Sequence, residues 1–216
     1  MTKEEVFEDI QRRILNEEFL PGTWLVERDL VQTYGFSRTP IREIMNRLVM
    51  LGLLEVQNNR GYQIREFSFQ DVVEIFNARR SIEGSCARFA CYSNRKDIPK
   101  RIEDLRNKLL DLDIRQDGGL KATDLGDQVH GLLIELADNR YLKEFSSKLS
   151  ALMKLTRNLT KHQPTIEEHS RVAHLEILDA LEKKDATRCE ALMDAHLSET
   201  CKALANNYVS TLTTYN

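Results

Sequence analysis

Proline and glycine are scarce, with four prolines and nine glycines in 216 residues. So few turn-formers weigh against a many-stranded β fold and favour long helices. There is no run of about 18 apolar residues, which excludes a membrane-spanning helix. The N-terminus, MTKEEVFEDIQRR, has no apolar core and does not read as a signal peptide. The four cysteines, Cys86, Cys91, Cys189 and Cys201, form no CxxC pair. They read as free thiols, and the chain is expected to reside in a reducing cytoplasm. Low-complexity tracts, internal repeats and an HExxH motif are also missing. Positive charge is in deficit, with 31 basic against 34 acidic side chains and a net charge of −3. Taken over the whole chain, that balance argues against a nucleic-acid partner. The remaining composition, 41% hydrophobic and 30% charged, is that of a folded globular protein rather than a disordered one.

Thr2 and Glu5 form a T-x-x-E capping box. Val6, Ile10 and Ile14 then follow at helical spacing, and Pro21-Gly22 must end that helix. A second helix fits Glu27 to Tyr34, stopped by Gly35. A third starts near Ser37, buries Ile41, Ile44, Met45 and Leu48, and ends at Gly52. Two short β-type runs, Leu53–Val56 and Tyr62–Ile64, flank Asn58-Asn59-Arg60-Gly61 and predict a hairpin. Three helices and a hairpin make a winged helix-turn-helix over residues 1–66. From Ser68 the strand signals stop. Helical patterns over roughly 69–92, 98–115, 121–138, 141–159, 166–183 and 186–205 predict an all-helical bundle of about six helices over residues 67–216. Asp117-Gly118-Gly119, Asn139 and Asp185 mark breaks between them. The fold class is therefore mainly α.

Charge becomes informative once it is divided. Residues 1–66 carry 9 basic and 11 acidic side chains, but the acids crowd into the first helix. Between residues 36 and 65 the balance is five arginines against two glutamates. Arg38 and Arg42 are four apart at the head of the third helix and share a face. Ser37 and Thr39 offer hydroxyls beside the helix N-terminal amides, which suit phosphate oxygens. Arg28 lies on the preceding helix and Arg60 on the wing tip. Every basic residue from Arg12 to Arg95 is arginine, the side chain suited to bidentate recognition. This pattern predicts binding to double-stranded DNA.

The segment Leu20-Pro21-Gly22 … Leu25-Val26-Glu27-Arg28-Asp29-Leu30 resembles the opening of the GntR superfamily of bacterial transcription regulators. Gly35-Phe36-Ser37-Arg38-Thr39-Pro40-Ile41-Arg42-Glu43 resembles that family's G-[VI]-S-R-[TP]-P-[VI]-R-E signature. Arg79-x-x-Ile82-Glu83 is similar to the first helix of the FadR-like effector (FCD) domain, and six helices resemble its shorter, VanR-type version. The resemblance implies a homodimer on a short palindromic operator. It assigns the DNA contacts to Arg28, Ser37, Arg38, Thr39, Arg42, Arg60 and Gly61. Acting as a repressor is the expected sign.

The five histidines are His130, His162, His169, His174 and His196. His130, His174 and His196 stand inside helical patterns among apolar neighbours. Histidines converging from separate helices can hold a divalent transition metal such as Zn, Ni or Mn. The family likeness aligns these three with metal ligands. It places an aspartate four residues before the first, where this chain has Gly126. Asp127, at i−3 from His130, is the expected substitute. His162 and His169 match no family position and read as surface or loop residues. Arg79 either pairs with Glu83 at i+4 or holds an effector carboxylate bidentately. Together these readings predict a regulator sensing a small carboxylate metabolite. The competing readings are a metal-free regulator binding an apolar or acyl ligand, and a metal-dependent hydrolase.

Overall fold

The computed structural model of the protein describes residues 1–16, 18–57, 61–114, 120–160 and 164–214. The chain forms two compact units, one of Met1–Asp71 with Ser150–Thr156 and one of Val72–Leu149 with Arg157–Asn216.

The first unit opens with α1 (Lys3–Leu15). The Thr2 hydroxyl accepts from the Glu5 amide at 3.2 Å, and the Glu5 carboxylate accepts from the Thr2 amide at 2.8 Å. This closes the predicted capping box. After β1 (Trp24–Leu25) come α2 (Glu27–Tyr34) and α3 (Arg38–Met50), then β2 (Leu54–Gln57) and β3 (Gly61–Ile64). Gly35 ends α2 at φ +71°, a left-handed conformation that sets the tight turn into α3. The sheet runs β1-β3-β2, antiparallel throughout, with Leu54 opposite Ile64 and Leu25 opposite Tyr62. The strand β1 is absent from the sequence reading, because two residues show no alternation. Pairing with β3 is what makes it a strand. On α3, Ile41, Ile44, Met45 and Leu48 are wholly buried in a core shared with Val6, Ile10 and Ile14 of α1. Ile44→Ala removes three carbons from that core and is expected to cost roughly 2–5 kcal/mol. Urea unfolding of the full chain checks this, and an unchanged midpoint would contradict it.

After β3 the regular elements among the described residues are all helices: α4 (Phe69–Ala90), α5 (Ile98–Leu110), α6 (Leu120–Leu136), α7 (Arg140–Thr160), α8 (Pro164–Glu182) and α9 (Ala186–Thr214). The helix α8 is central, packed on α5, α6 and α9. Asn139 caps α7, its side-chain oxygen accepting from the amides of Tyr141 (3.1 Å) and Leu142 (3.2 Å). Asp185 caps α9 through the Arg188 amide at 3.1 Å. Two boundaries differ from the sequence reading. The helix α5 stops at Leu110, where Asp111 and Asp113 oppose the negative end of the helix dipole. The helix α9 runs on to Thr214, since no glycine or proline follows residue 205 to stop it. Asn58, Asn59, Asp117, Gly118, Gly119 and His162 lie outside the described residues. Among the described residues, no helix is long and apolar enough to cross a membrane. The fold is mainly α, a winged helix-turn-helix and a six-helix bundle.

Candidate functional site

Two sites emerge, one in each unit. In the first, α3 begins at Ser37, whose side chain makes no capping hydrogen bond. Ser37, Arg38 and Thr39 are all exposed at the helix N-terminus. Their hydroxyls and the free first-turn amides therefore face solvent, a ready seat for phosphate oxygens. The arginines divide by what holds them. Arg47 is taken up by Glu4, at 2.7 and 2.9 Å, and tethers α3 to α1. Arg65 bonds to Asp71 at 3.1 Å. Arg42 lays its Nε and Nη2 on Glu27 at 3.0 and 3.1 Å, which fixes the guanidinium plane and leaves the rest exposed. Arg28 contacts its neighbour Asp29 at 3.2 Å and is otherwise exposed among the described residues. Among the described residues, Arg38 forms no ion pair. Gly61 opens β3 at φ +105°, and Arg60 lies outside the described residues. Glu27 is the functional residue the sequence reading passed over. Its signal was the glutamate of the L-x-E-x-x-L stretch.

In the second unit α6, α8 and α9 bring His130, His174 and His196 together. One donor nitrogen from each lies within 4.8 Å of the others, and all three rings are buried. Ring centroids stand 4.5 to 5.3 Å apart. The Nε2 atoms of His130 and His174 are 3.1 Å apart. That is the separation of two nitrogens each about 2.0–2.1 Å from one ion. Burial, with the neighbouring rings and Arg79, holds the His174 and His196 pKa values well below the ordinary imidazole value. Both stay neutral, with lone pairs available to a metal. Three buried imidazoles converging from separate helices fit a borderline divalent ion.

The carboxylate beside this cluster is Glu83 of α4. Only 2% exposed, it accepts from His130 Nδ1 at 2.5 Å and thereby turns Nε2 toward His174. Arg79 grips the other side of Glu83 at 2.6 and 3.3 Å. Burial alone would push the Glu83 carboxyl up, but Arg79 and His130 pull it well below the carboxylate range. Of the two readings of Arg79, the ion pair is present, and it is nearly buried rather than surface-exposed. Asp127 is exposed on α6 and stands outside the group of three. The i−3 spacing places it along the same helix but does not turn it inward. Gly126, in contrast, is buried and faces the cluster. A Cβ there would stand 2.7 Å from His174 Cε1. The His174 ring therefore occupies the space where the resemblance places an aspartate side chain. A cleft of about 170 Å³ between α8 and α9, lined by Ile166, Ser170, Ala173 and Thr200 among others, reaches His196 from outside. His169, exposed, lines the same cleft.

A winged helix-turn-helix with exposed arginines at the head of its third helix, joined to an all-helical bundle, is the arrangement of a DNA-binding transcription regulator. The chain belongs to the gntR family of bacterial regulatory proteins that carry an FCD domain. The first family matches residues 2–64 and the FCD domain residues 74–199. It is 26% identical over 204 residues to the HTH-type transcriptional repressor RspR of Escherichia coli K12, covering 91% of this chain and 86% of that one. It is 27% identical over 184 residues to the Nta operon transcriptional regulator of Aminobacter aminovorans, covering 84% of each. Its fold is like that of E. coli McbR/YncC, with a TM-score of 0.74 and 20% identity over 96% of this chain and 100% of that one.

Proposed function

We propose that the protein is a cytoplasmic, homodimeric, metal-containing repressor that releases or takes up DNA in response to a small carboxylate metabolite. Residues 1–66 read the DNA, and residues 67–216 bind the effector and dimerise. The head of α3 enters the major groove, with Arg38 and Arg42 at base edges or phosphates. Ser37, Thr39, Arg28 and the wing residues Arg60 and Gly61 set the register. The repressor sign rests on the name borne by the relative RspR.

The observation that carries the sensing half is the convergence of His130, His174 and His196, a group of three imidazole donors among the described residues. These residues would hold a divalent ion of the Zn, Ni or Mn class. When bound, such an ion supplies a positive centre that fixes a carboxylate. Imidazole donors carry no negative charge to cancel that of the ion, which favours an anionic effector arriving through the cleft at His196. Arg79 sits close enough to shift His174 and His196, and it supplies a second positive group for the same carboxylate. An effector of this kind acts only through a difference in affinity between DNA-competent and DNA-free states. A hydrolytic reading finds little support. Glu83, the carboxylate nearest the rings, is tied to Arg79 and His130 and is not free as a general base.

Elemental analysis of untagged protein is expected to find transition metal. Chelator should then lower the melting temperature, and carboxylate ligands should raise it by mass action in the metal-loaded protein. A protein that carries no metal and melts identically with and without chelator would turn the reading to a metal-free regulator of an apolar or acyl ligand.

A further inference from the structure

Asn46 stands on the third turn of α3, exposed to solvent and tied to the wing. The Tyr62 hydroxyl of β3 donates to Asn46 Oδ1 at 3.2 Å. Tyr62 is itself only 6% exposed and belongs to the core of the first unit. A fixed residue thus gives the amide a direction. Oδ1 keeps one lone pair, and Nδ2, which makes no hydrogen bond among the described residues, keeps both hydrogens. A helix turns about 100° per residue, which puts Asn46 about 20° from Thr39 and about 40° from Arg42. Ile41, Ile44, Met45 and Leu48 are wholly buried on the opposite side of the same helix. Asn46 therefore lies in the middle of the face that Thr39 and Arg42 present to solvent. Of the other exposed residues on that face, Glu43 is taken up by Lys3 of α1, and Met50 carries no hydrogen-bonding group of comparable strength.

We propose that Asn46 is a further base-reading residue, which recognises adenine in the major groove, and that Tyr62 is its positioning residue. The inference rests on the head of α3 entering that groove. An adenine edge offers the N7 acceptor beside the N6 amino donor. Asn46 Nδ2 donates to N7, and the remaining lone pair of Oδ1 accepts from N6. Guanine at the same place would set a second acceptor, O6, against Oδ1. The hydrogen bond from Tyr62 opposes the flip that would exchange the amide oxygen and nitrogen. It also orders the side chain before DNA arrives, so less freedom is lost on binding. Asn46 is eight residues on from Arg38, a rise of about 12 Å along the helix axis. At about 3.4 Å per base-pair step, the adenine lies within about four base pairs of the position that Arg38 contacts. Asn46 is uncharged, so it adds to the choice between sequences and nothing to the salt dependence.

The test selects duplexes from a random pool with the full-length wild type. Each variant is then titrated against the selected duplex and its single-base changes at several salt concentrations. The wild type is expected to prefer adenine at a position near the one that Arg38→Ala disturbs. Asn46→Ala should lose that preference, about ten- to a hundredfold between adenine and the other bases, with an unchanged salt slope. Asn46→Asp, which accepts but does not donate, should turn the preferred base there to cytosine. Replacing the adenine by 7-deazaadenine should weaken the wild type and leave Asn46→Ala unaffected. Tyr62→Phe should blunt the adenine preference while keeping the preferences that depend on Arg38, a split that a loosened fold would not give. An adenine preference untouched in Tyr62→Phe overturns the positioning role. Preferences lost in Arg38→Ala but intact in Asn46→Ala overturn the role of Asn46 alone. A wild type that selects no sequence overturns base reading by α3 as a whole, and this proposal with it.

Discussion

Gly126→Ala is expected to dismantle the histidine cluster, although it adds a single methyl group. In an ordinary helix interior this change stabilises by about 1 kcal/mol, because alanine is the better helix former. Here the new Cβ would lie 2.7 Å from Cε1, 3.4 Å from Nδ1 and 3.5 Å from Nε2 of His174. The ring has no ready retreat. Its Nε2 is 3.1 Å from that of His130, and the His196 ring is 4.5 Å away, centre to centre. Overpacking of this kind costs roughly 1–3 kcal/mol, which outweighs the propensity gain. On the proposed metal centre the effect is larger, since displacing one of its three rings should reduce affinity by about 10- to 100-fold or more. Gly131→Ala on the same helix is the control, because nothing lies within 4 Å of its Cβ. Gly131→Ala should keep wild-type metal affinity and melt slightly higher, while Gly126→Ala should lose metal and melt lower. Competition titration with a chromophoric chelator measures the first quantity and calorimetry the second. Equal behaviour of the two variants would sink the account of Gly126.

The histidine trio was legible in the sequence, while the carboxylate beside it was not. His130, His174 and His196 each interrupt an apolar stripe of helical period, so a one-dimensional pattern already turns them inward. Choosing their carboxylate neighbour requires knowing which helices touch. Spacing along one helix favours Asp127, but the residue in contact is Glu83, 47 positions earlier on α4. The same limit hid Glu27, which is 15 positions from the Arg42 it holds. The helices themselves were readable because their ends are marked by local chemistry: Thr2 with Glu5, Gly35, Asn139 and Asp185. Where local chemistry is mute, as at the two-residue β1, pairing with a distant strand decides.

Arg38→Ala is expected to weaken operator binding about ten- to a hundredfold at fixed salt. The guanidinium projects from the first residue of α3 and makes no ion pair among the described residues; only the longer-range attraction of Glu27 acts on it, so no close contact has to break for it to turn to DNA. Arg42 differs. Its fork is already half occupied by Glu27, which keeps the plane fixed and cancels much of its charge. Arg42→Ala should therefore lose specificity more than bulk electrostatic affinity. Glu27→Gln should do the opposite, freeing one cation. That variant should bind non-operator DNA more tightly and show a salt dependence steeper by about one unit of slope, because one more phosphate is neutralised. An operator obtained by selection from random duplexes, titrated at several salt concentrations, measures both effects. If Arg38→Ala binds as the wild type does, α3 does not enter the groove by its N-terminal turn. If Glu27→Gln leaves the salt slope unchanged, the Glu27–Arg42 pair does not restrain the arginine on DNA. The domain is acidic overall, so its discrimination between sites should rest on this small number of placed arginines. Specificity is then set by how firmly Glu27 and the surrounding helix hold them.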